Sequence, residues 1–246
     1  MSIEIINIDN KKSLLSRRWK LHDFDERNVI YFSQKYNLKY IVAKLLSIRG
    51  VDKDYIENFL NPNINNDIPN PAKLKDIEKA TSRVIQAIDK KERIGIIADY
   101  DVDGSTSASI LFKFLKNFTS SIILKIPNRL VDGYGPNIKL MKEMLDNKVD
   151  LLLTLDCGTT SNEIIDNKEF KNIDVIVIDH HLSEINLPNV LAIINPNRSD
   201  DTSDYKQLAA VGVTFLFLMF LRKKLREINK FNEIKEPNLL SYLDLV

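Results

Sequence analysis

The sequence lacks most features of secreted, membrane-spanning and strongly basic proteins. A single cysteine among 246 residues excludes an intrachain disulfide framework and indicates a reducing compartment. The formal net charge is +1, so no overall positive field points to a nucleic-acid partner. The most apolar stretch, residues 211–221, is shorter than the roughly 20 residues needed to cross a bilayer. Because the N-terminus also lacks the segments of a signal peptide, we expect a soluble cytoplasmic protein without a membrane partner.

The chain contains two regions with different patterns of apolar residues. Over residues 1–91 the apolar residues recur at three- and four-residue spacings, which predicts a mainly helical N-terminal region. Over residues 92–246 short apolar runs alternate with helix-like stretches, which predicts an α/β domain with a parallel sheet and crossover helices. The predicted strands are 93–99, 121–126, 150–155, 174–178 and 190–194, and the predicted helices are 105–118, 137–147, 161–168 and 207–229.

Acidic residues and histidines directly follow three of the predicted strands. They are Asp99, Asp101, Asp103, Asp156, Asp179, His180 and His181. Because ligands bind at the carboxyl ends of parallel strands, these side chains are expected to converge on one region. So many carboxylates cannot all ionise there without cations between them. The sequence therefore predicts a metal site with oxygen and nitrogen ligands.

Turn formation is the competing explanation for these residues. A turn at Gly104 with Ser105 as a helix N-cap accounts for one aspartate, but it accounts poorly for three at alternate positions. An alternating Asp-Gly loop is also typical of calcium sites, yet the downstream bidentate glutamate of an EF-hand is missing. Adjacent histidines point to opposite sides of an extended chain, so one can ligate a metal while the other faces substrate. Taken together, the segments favour a metal site.

Three motifs carry a resemblance to a known family. They are Asp-Tyr-Asp-Val-Asp-Gly at 99–104, Leu-Asp-Cys-Gly at 155–158 and Asp-His-His at 179–181. In this order and spacing they resemble the DHH phosphoesterase superfamily, and within it the RecJ single-strand-specific DNA exonucleases. The further stretches similar to RecJ are 49–50, 59–62, 126–135, 195–198 and 208–213.

The resemblance implies a metal-dependent phosphodiesterase that degrades single-stranded DNA from the 5′ end, in recombination and repair. It implies two divalent cations, for which carboxylates with an imidazole suit Mn²⁺ best and permit Mg²⁺. The implied metal ligands are Asp99, Asp101, Asp103, Asp156 and His180. Among them, Asp156 would bridge the two cations, and Asp99 would be a ligand or a group behind a ligand.

The resemblance also suggests roles for residues around the cations. His181 would contact the scissile phosphate or assist proton transfer, and Asp179 would orient a histidine. Arg129 is a candidate phosphate contact, and Tyr134 a candidate for stacking on a base. A surface ion pair for Arg129 and a packed loop anchor for Tyr134 are equally good explanations. Besides single-stranded DNA, a single-strand-binding protein is a candidate partner.

The chain departs from the family pattern in three places. Ala98 stands where many relatives have glycine, and Ile97 stands where some relatives carry a histidine ligand. The chain also ends a few residues short of the segment in which relatives place a fourth-motif aspartate. We therefore expect an N-terminal fragment that is inactive or weak by itself.

Two other functions remain open at this point. One is a DHH phosphodiesterase of oligoribonucleotides or cyclic dinucleotides, which the helical region before the first motif disfavours. The other is a non-catalytic DHH module that binds DNA or replication proteins, which the intact acidic and histidine motifs disfavour.

Overall fold

The computed structural model describes residues 13–17 and 22–246, and the chain divides into two compact units between Ile68 and Pro69. The first unit is helical, as expected. Its helices are α1 (Glu26–Lys35), α2 (Tyr40–Ile48), α3 (Ile56–Leu60) and α4 (Ile64–Asp67). Its core is small and holds the buried side chains Val29, Phe32, Ala43, Leu46 and Ile56.

The second unit is built on a five-stranded, fully parallel sheet in the order β2-β1-β3-β4-β5. The strands are β1 (Ile94–Ala98), β2 (Ile122–Lys125), β3 (Leu151–Leu155), β4 (Asp174–Ile178) and β5 (Ala192–Ile194). The helices are α5 (Ile77–Lys90), α6 (Val102–Leu115), α7 (Ile138–Asp146), α8 (Asn162–Ile165) and α9 (Ala210–Glu227). This architecture confirms the predicted α/β fold class.

Burial on both faces explains the nearly continuous apolar strands. Every residue of β1 and β3 is buried, as expected for a parallel sheet covered by helices. Met141 and Met144 of α7 pack with Ile97, Leu152 and Val177 of the sheet. The helices α5 and α9 contact each other, and they contact β5 and β4 respectively. None of the helices among the described residues is long and apolar enough to cross a membrane.

Helix α5 belongs to the second compact unit, although the pattern of apolar residues in the sequence changes only after this helix. Its apolar face, with Ile77, Val84 and Ile88 buried, packs against β5 and α9. Arg83 of the same helix pairs with Asp174 at the start of β4, with 2.6 Å between Nε and Oδ2. The compact unit therefore begins before the predicted domain, and the functional boundary near residue 92 stays a prediction.

Candidate metal centre

The motif residues form one row across the carboxyl edge of the sheet. Ala98, Leu155 and Ile178 are aligned partners in neighbouring strands, so the next residue of each strand, an aspartate, lies beside the others. The residues of this row, in spatial order, are Asp99, Asp156, Asp179 and Asn195. The chain crosses from β2 over β1 to β3, so β1 and β3 flank the switch point where ligands bind in open α/β sheets.

The segment after β1 turns at once into α6. Asp101 is the N-cap of this helix, and its Oδ1 accepts the N–H of Gly104 at 2.9 Å. A Cβ atom at Gly104 would lie 2.4 Å from the carbonyl oxygen of Asp99. Only glycine therefore allows the first turn of α6 to approach the end of the strand, and this approach brings Asp99 and Asp101 together.

Asp156 occupies the centre of the site in a left-handed backbone conformation. Its φ of 58° turns the chain sharply at the end of β3, a conformation that aspartate tolerates better than most residues. Its carboxylate belongs to two groups of possible ligand atoms, each within 4.8 Å of one another. One group is Asp99, Asp101 and Asp156, and the other is Asp156, His180 and His181.

The electrostatics of these carboxylates are unfavourable without a cation. Oδ1 of Asp156 and Oδ1 of Asp99 are buried and accept no hydrogen bond from the described residues. Burial, with the charges of Asp103 and Asp101, raises the pKa of Asp156 to about 8, and burial also raises the pKa of Asp99. Carboxylate oxygens without donors beside imidazole nitrogens fit a divalent cation such as Mn²⁺ or Mg²⁺.

Asp179 is engaged with the histidine pair. Its Oδ1 accepts the backbone N–H of His180 at 2.7 Å and lies 2.8 Å from Nδ1 of His181. Burial opposes its ionisation, but the hydrogen bonds from His181 and Thr159 lower the pKa of Asp179 overall. The hydrogen bond between His181 and Asp179 also raises the pKa of His181 to about 9. The ring of His181 is thus held by Asp179, and the Tyr134 hydroxyl lies 3.3 Å from its Nδ1 and 3.4 Å from its Nε2, while the side chain is 46% exposed.

His180 and Asp103 lie beside Asp156. Nε2 of His180 is 3.4 Å from Oδ1 of Asp156 and 3.5 Å from Oδ2 of Asp103. Asp103 belongs to neither group of possible ligand atoms. Its two oxygens accept the backbone N–H groups of Ala210 and Val211, each at 2.7 Å.

Two asparagines of the RecJ-like stretch 195–198 hold the histidine backbone, and for Asn195 the sequence predicted no individual role. Asn195 is fully buried, and its Nδ2 donates to Oγ1 of Thr159 at 3.0 Å and to the carbonyl of His181 at 2.9 Å. Nδ2 of Asn197 donates to the carbonyl of His180. A signal for Asn195 was present, because it directly follows the fifth predicted strand, as the aspartates follow the others.

Arg129 and Tyr134, the predicted substrate contacts, both lie at this edge. The guanidinium of Arg129 sits 5.5 Å from the ring centre of Tyr100, and among the described residues it has no ion pair. The Tyr134 hydroxyl donates to the carbonyl of Asp156 at 2.9 Å, and its ring meets His181 edge to face at 5.8 Å. A cavity of about 400 Å³ between Tyr134 and Leu182 opens beside His181.

A cavity of similar volume, about 390 Å³, lies at the opposite edge of the sheet near Phe170 and Asp174. It contains none of the motif residues. We therefore place the site at the carboxyl edge, where Asp99 and Asp156 each keep a buried oxygen that accepts no hydrogen bond from the described residues.

Known proteins share these motifs and this fold. Residues 93–246 match the sequence profile of the DHH family, N-terminal domain. The chain belongs to the DHH family. One DHH relative is the single-stranded-DNA-specific exonuclease RecJ of Bacillus subtilis (strain 168), which is 32% identical over 80% of this chain and 25% of its own length. The resemblance to RecJ is thereby confirmed. The chain spans between a quarter and a third of the length of the first curated relatives it matches.

Solved structures of DHH proteins share the fold. A crystal structure of exonuclease RecJ bound to manganese is 31% identical, with a TM-score of 0.60, over 70% of this chain and 41% of that one. A structure of RecJ in complex with Mn²⁺ from Thermus thermophilus is 25% identical, with a TM-score of 0.66. It covers 92% of this chain and 30% of the Thermus chain.

Proposed function

We propose that this chain carries the metal centre of a phosphodiesterase that degrades single-stranded DNA from its 5′ end, in recombination and repair. The observation that supports this most is the position of Asp156 in two groups of possible ligands, with a buried oxygen that accepts no hydrogen bond from the part of the chain that the structure describes. Two-cation sites with a shared carboxylate suit the in-line displacement of a phosphodiester. The name of the Bacillus subtilis relative supports the substrate.

The proposed metal ligands are Asp99, Asp101, Asp103, Asp156 and His180, with Asp156 shared between two cations. Bound Mn²⁺ or Mg²⁺ would neutralise charge on the phosphate and lower the pKa of the attacking water. Among the RecJ structures that share the fold, two hold manganese and a third holds Mg²⁺, so we propose Mn²⁺ or Mg²⁺ for this chain. The donor set of carboxylates and imidazole agrees with that choice.

His181 is the proposed contact to the scissile phosphate or the group that passes a proton. Asp179 holds Nδ1 of His181 at 2.8 Å, and the Tyr134 hydroxyl lies 3.4 Å from Nε2, so we propose that Nε2, beside that hydroxyl, does this work. Tyr134 packs against the ring of His181 and binds the Asp156 carbonyl, so it limits the movement of both residues.

The proposed strand path runs past Arg129, Tyr134 and the cavity beside His181. A guanidinium without an ion pair among the described residues can fork onto phosphate oxygens. The half-exposed ring of Tyr134 can contact a base or a sugar next to the scissile phosphate. The proposal includes recruitment by a single-strand-binding protein and a cytoplasmic location.

The test is a Mn²⁺-dependent assay on 5′-labelled single-stranded DNA, with blunt duplex DNA and cyclic dinucleotides as alternative substrates. It is run on this chain and on a chimera in which the rest of the Bacillus subtilis relative follows Val246. We expect mononucleotide release from the single strand by the chimera, and its loss in the Asp156→Asn chimera. Hydrolysis of cyclic dinucleotides alone would overturn the substrate, and no hydrolysis with Mn²⁺ bound would favour a binding module.

A further inference from the structure

The last aspartate of the first motif is bonded to a distant helix. Oδ2 of Asp103 accepts the N–H of Ala210, and Oδ1 accepts the N–H of Val211, both at 2.7 Å. Ala210 and Val211 are the first two residues of α9. The first four N–H groups of a helix have no partner within it, so Asp103 satisfies two of them from another part of the chain.

Helix α9 is a rigid support for these two bonds. It is 18 residues long, and most of its side chains are buried, including Phe217, Leu218 and Leu221. It contacts α6, which begins just before Asp103, and it also contacts α5 and β4. The N–H groups are therefore fixed relative to the end of β1.

Asp103 also faces the predicted cation ligands. Its Oδ2 lies 3.5 Å from Nε2 of His180, and the same nitrogen lies 3.4 Å from the buried Oδ1 of Asp156. A carboxylate oxygen that accepts one N–H keeps a second lone pair. The bonds to α9 therefore leave Asp103 able to coordinate a cation, while they restrict where its oxygens can be.

We propose that the N-terminus of α9 positions Asp103 as a ligand of a divalent cation, so the N–H groups of Ala210 and Val211 set the cation affinity. The inference rests on the proposed function, because it requires a cation at this site. The partial positive charge at the start of the helix also lies beside the Asp103 carboxylate. Groups behind metal ligands change the affinity about 10- to 100-fold in other proteins.

One substitution removes a single N–H and keeps every side chain of the site. Ala210→Pro replaces the N–H that donates to Oδ2 of Asp103 with a ring CH₂, which removes the bond and pushes that oxygen away, at the first position of the helix, where proline is well tolerated. Ala209, the preceding residue, already has the extended conformation that a following proline requires, with φ −72° and ψ 165°. Ala209→Pro is the matched control, because Ala209 is exposed and donates to neither oxygen of Asp103.

Calorimetric titration of the chain with Mn²⁺ measures the change in cation affinity and does not require turnover. We expect Ala210→Pro to weaken Mn²⁺ binding about 10-fold or more, and Ala209→Pro to leave it within about 2-fold of the unaltered chain. A folded Ala210→Pro chain that binds Mn²⁺ as tightly as the control would overturn the inference. Absence of Mn²⁺ binding by the unaltered chain would instead overturn the proposed function, and the inference with it.

Hydrogen exchange of the unaltered chain provides a second measurement, which tests the inference even if the proline variant does not fold. The amides of residues 210 and 211 have no partner within the helix, so their protection reports the contact with Asp103. We expect protection in the metal-free chain and equal or greater protection with Mn²⁺. Loss of protection on adding Mn²⁺ would show that Asp103 leaves the helix to reach the cation, which contradicts a positioning role.

Discussion

The two edges of the parallel sheet differ in how completely the oxygens of their acidic residues are hydrogen-bonded. At the amino edge, Asp174 pairs with Arg83, and Asp150 accepts the N–H of Arg93 at 2.9 Å. At the carboxyl edge, Asp99 and Asp156 each keep a buried oxygen that accepts no hydrogen bond from the described residues. An acidic residue whose oxygens are hydrogen-bonded supports the fold, whereas clustered carboxylates with buried oxygens that lack a donor cost stability and indicate a ligand.

The strongest contrast is expected from Asp156→Asn at the carboxyl edge. Asparagine keeps the size of the side chain and tolerates the left-handed backbone at this position. Loss of the shared ligand should abolish Mn²⁺ binding and lower turnover of the chimera about 10³-fold, since charge stabilisation by cations is worth several kcal/mol.

The same substitution should raise the free energy of unfolding of the metal-free chain near pH 7, because burial and the neighbouring carboxylates, which raise the pKa of Asp156 to about 8, disfavour its ionised form in the folded state. Urea denaturation with a chelator present measures this. A destabilised variant with normal Mn²⁺ affinity would reverse the assignment of Asp156 from ligand to structural residue.

At the amino edge, Arg83→Met should lower the stability of the fold and leave the affinity for Mn²⁺ unchanged. The Arg83 side chain is 9% exposed and pairs with Asp174 and Glu92, so its loss leaves two carboxylates without their partner. We expect the free energy of unfolding to fall by about 3 kcal/mol in urea denaturation, with Mn²⁺ affinity unchanged. Arg83→Lys, which keeps the charge, should lose less. A change in Mn²⁺ affinity would show that the two edges are coupled.

Asn195→Ala tests the support behind the histidine pair. The buried amide links Thr159 to the His181 carbonyl, so its removal leaves both groups without a donor. We expect a loss of about 2 kcal/mol in the free energy of unfolding, together with weaker Mn²⁺ binding. Asn189→Ala is a control in a loop before β5 that contacts neither histidine. Unchanged Mn²⁺ binding by Asn195→Ala would limit Asn195 to a structural role.

The smallest expected effect is the pH dependence of an acidic residue outside the site. Hydrogen bonds from Arg198 and Lys75 lower the pKa of Asp200 to about 2 from its ordinary value near 4. The folded state therefore gains stability above about pH 4 and loses that gain as the pH falls towards 2.

Asp200→Asn removes this gain. Because the Asp200 side chain is 46% exposed, solvent screening limits the effect to about 0.5 kcal/mol at pH 6. Urea denaturation of both proteins should show a difference at pH 6 that vanishes near pH 2. A difference that persists at pH 2 would mean that Asp200 stabilises the fold as a hydrogen-bond acceptor rather than as a charge.

Local sequence was sufficient to recognise the strands and the residues that follow them. Buried parallel strands are continuous apolar runs, so β1, β3 and β4 were predicted within a residue or two of their observed bounds. Helix α8 is shorter than predicted, because its periodic stretch ends at Ile165 and a separate short turn follows at Lys168–Phe170. Spacing along a chain does not reveal where one turn of helix ends and another begins.

The order of amino acids alone determines that carboxylates and histidines meet at the carboxyl edge, because parallel strands end together. It does not determine which of those groups find partners. Asp103 meets the start of α9 more than a hundred residues away, and Asn195 reaches the histidines from the end of the neighbouring strand β5. Pairing of this kind depends on distances between separate elements. Three-dimensional packing therefore decides which acidic residues are neutralised by the protein and which are left for a cation.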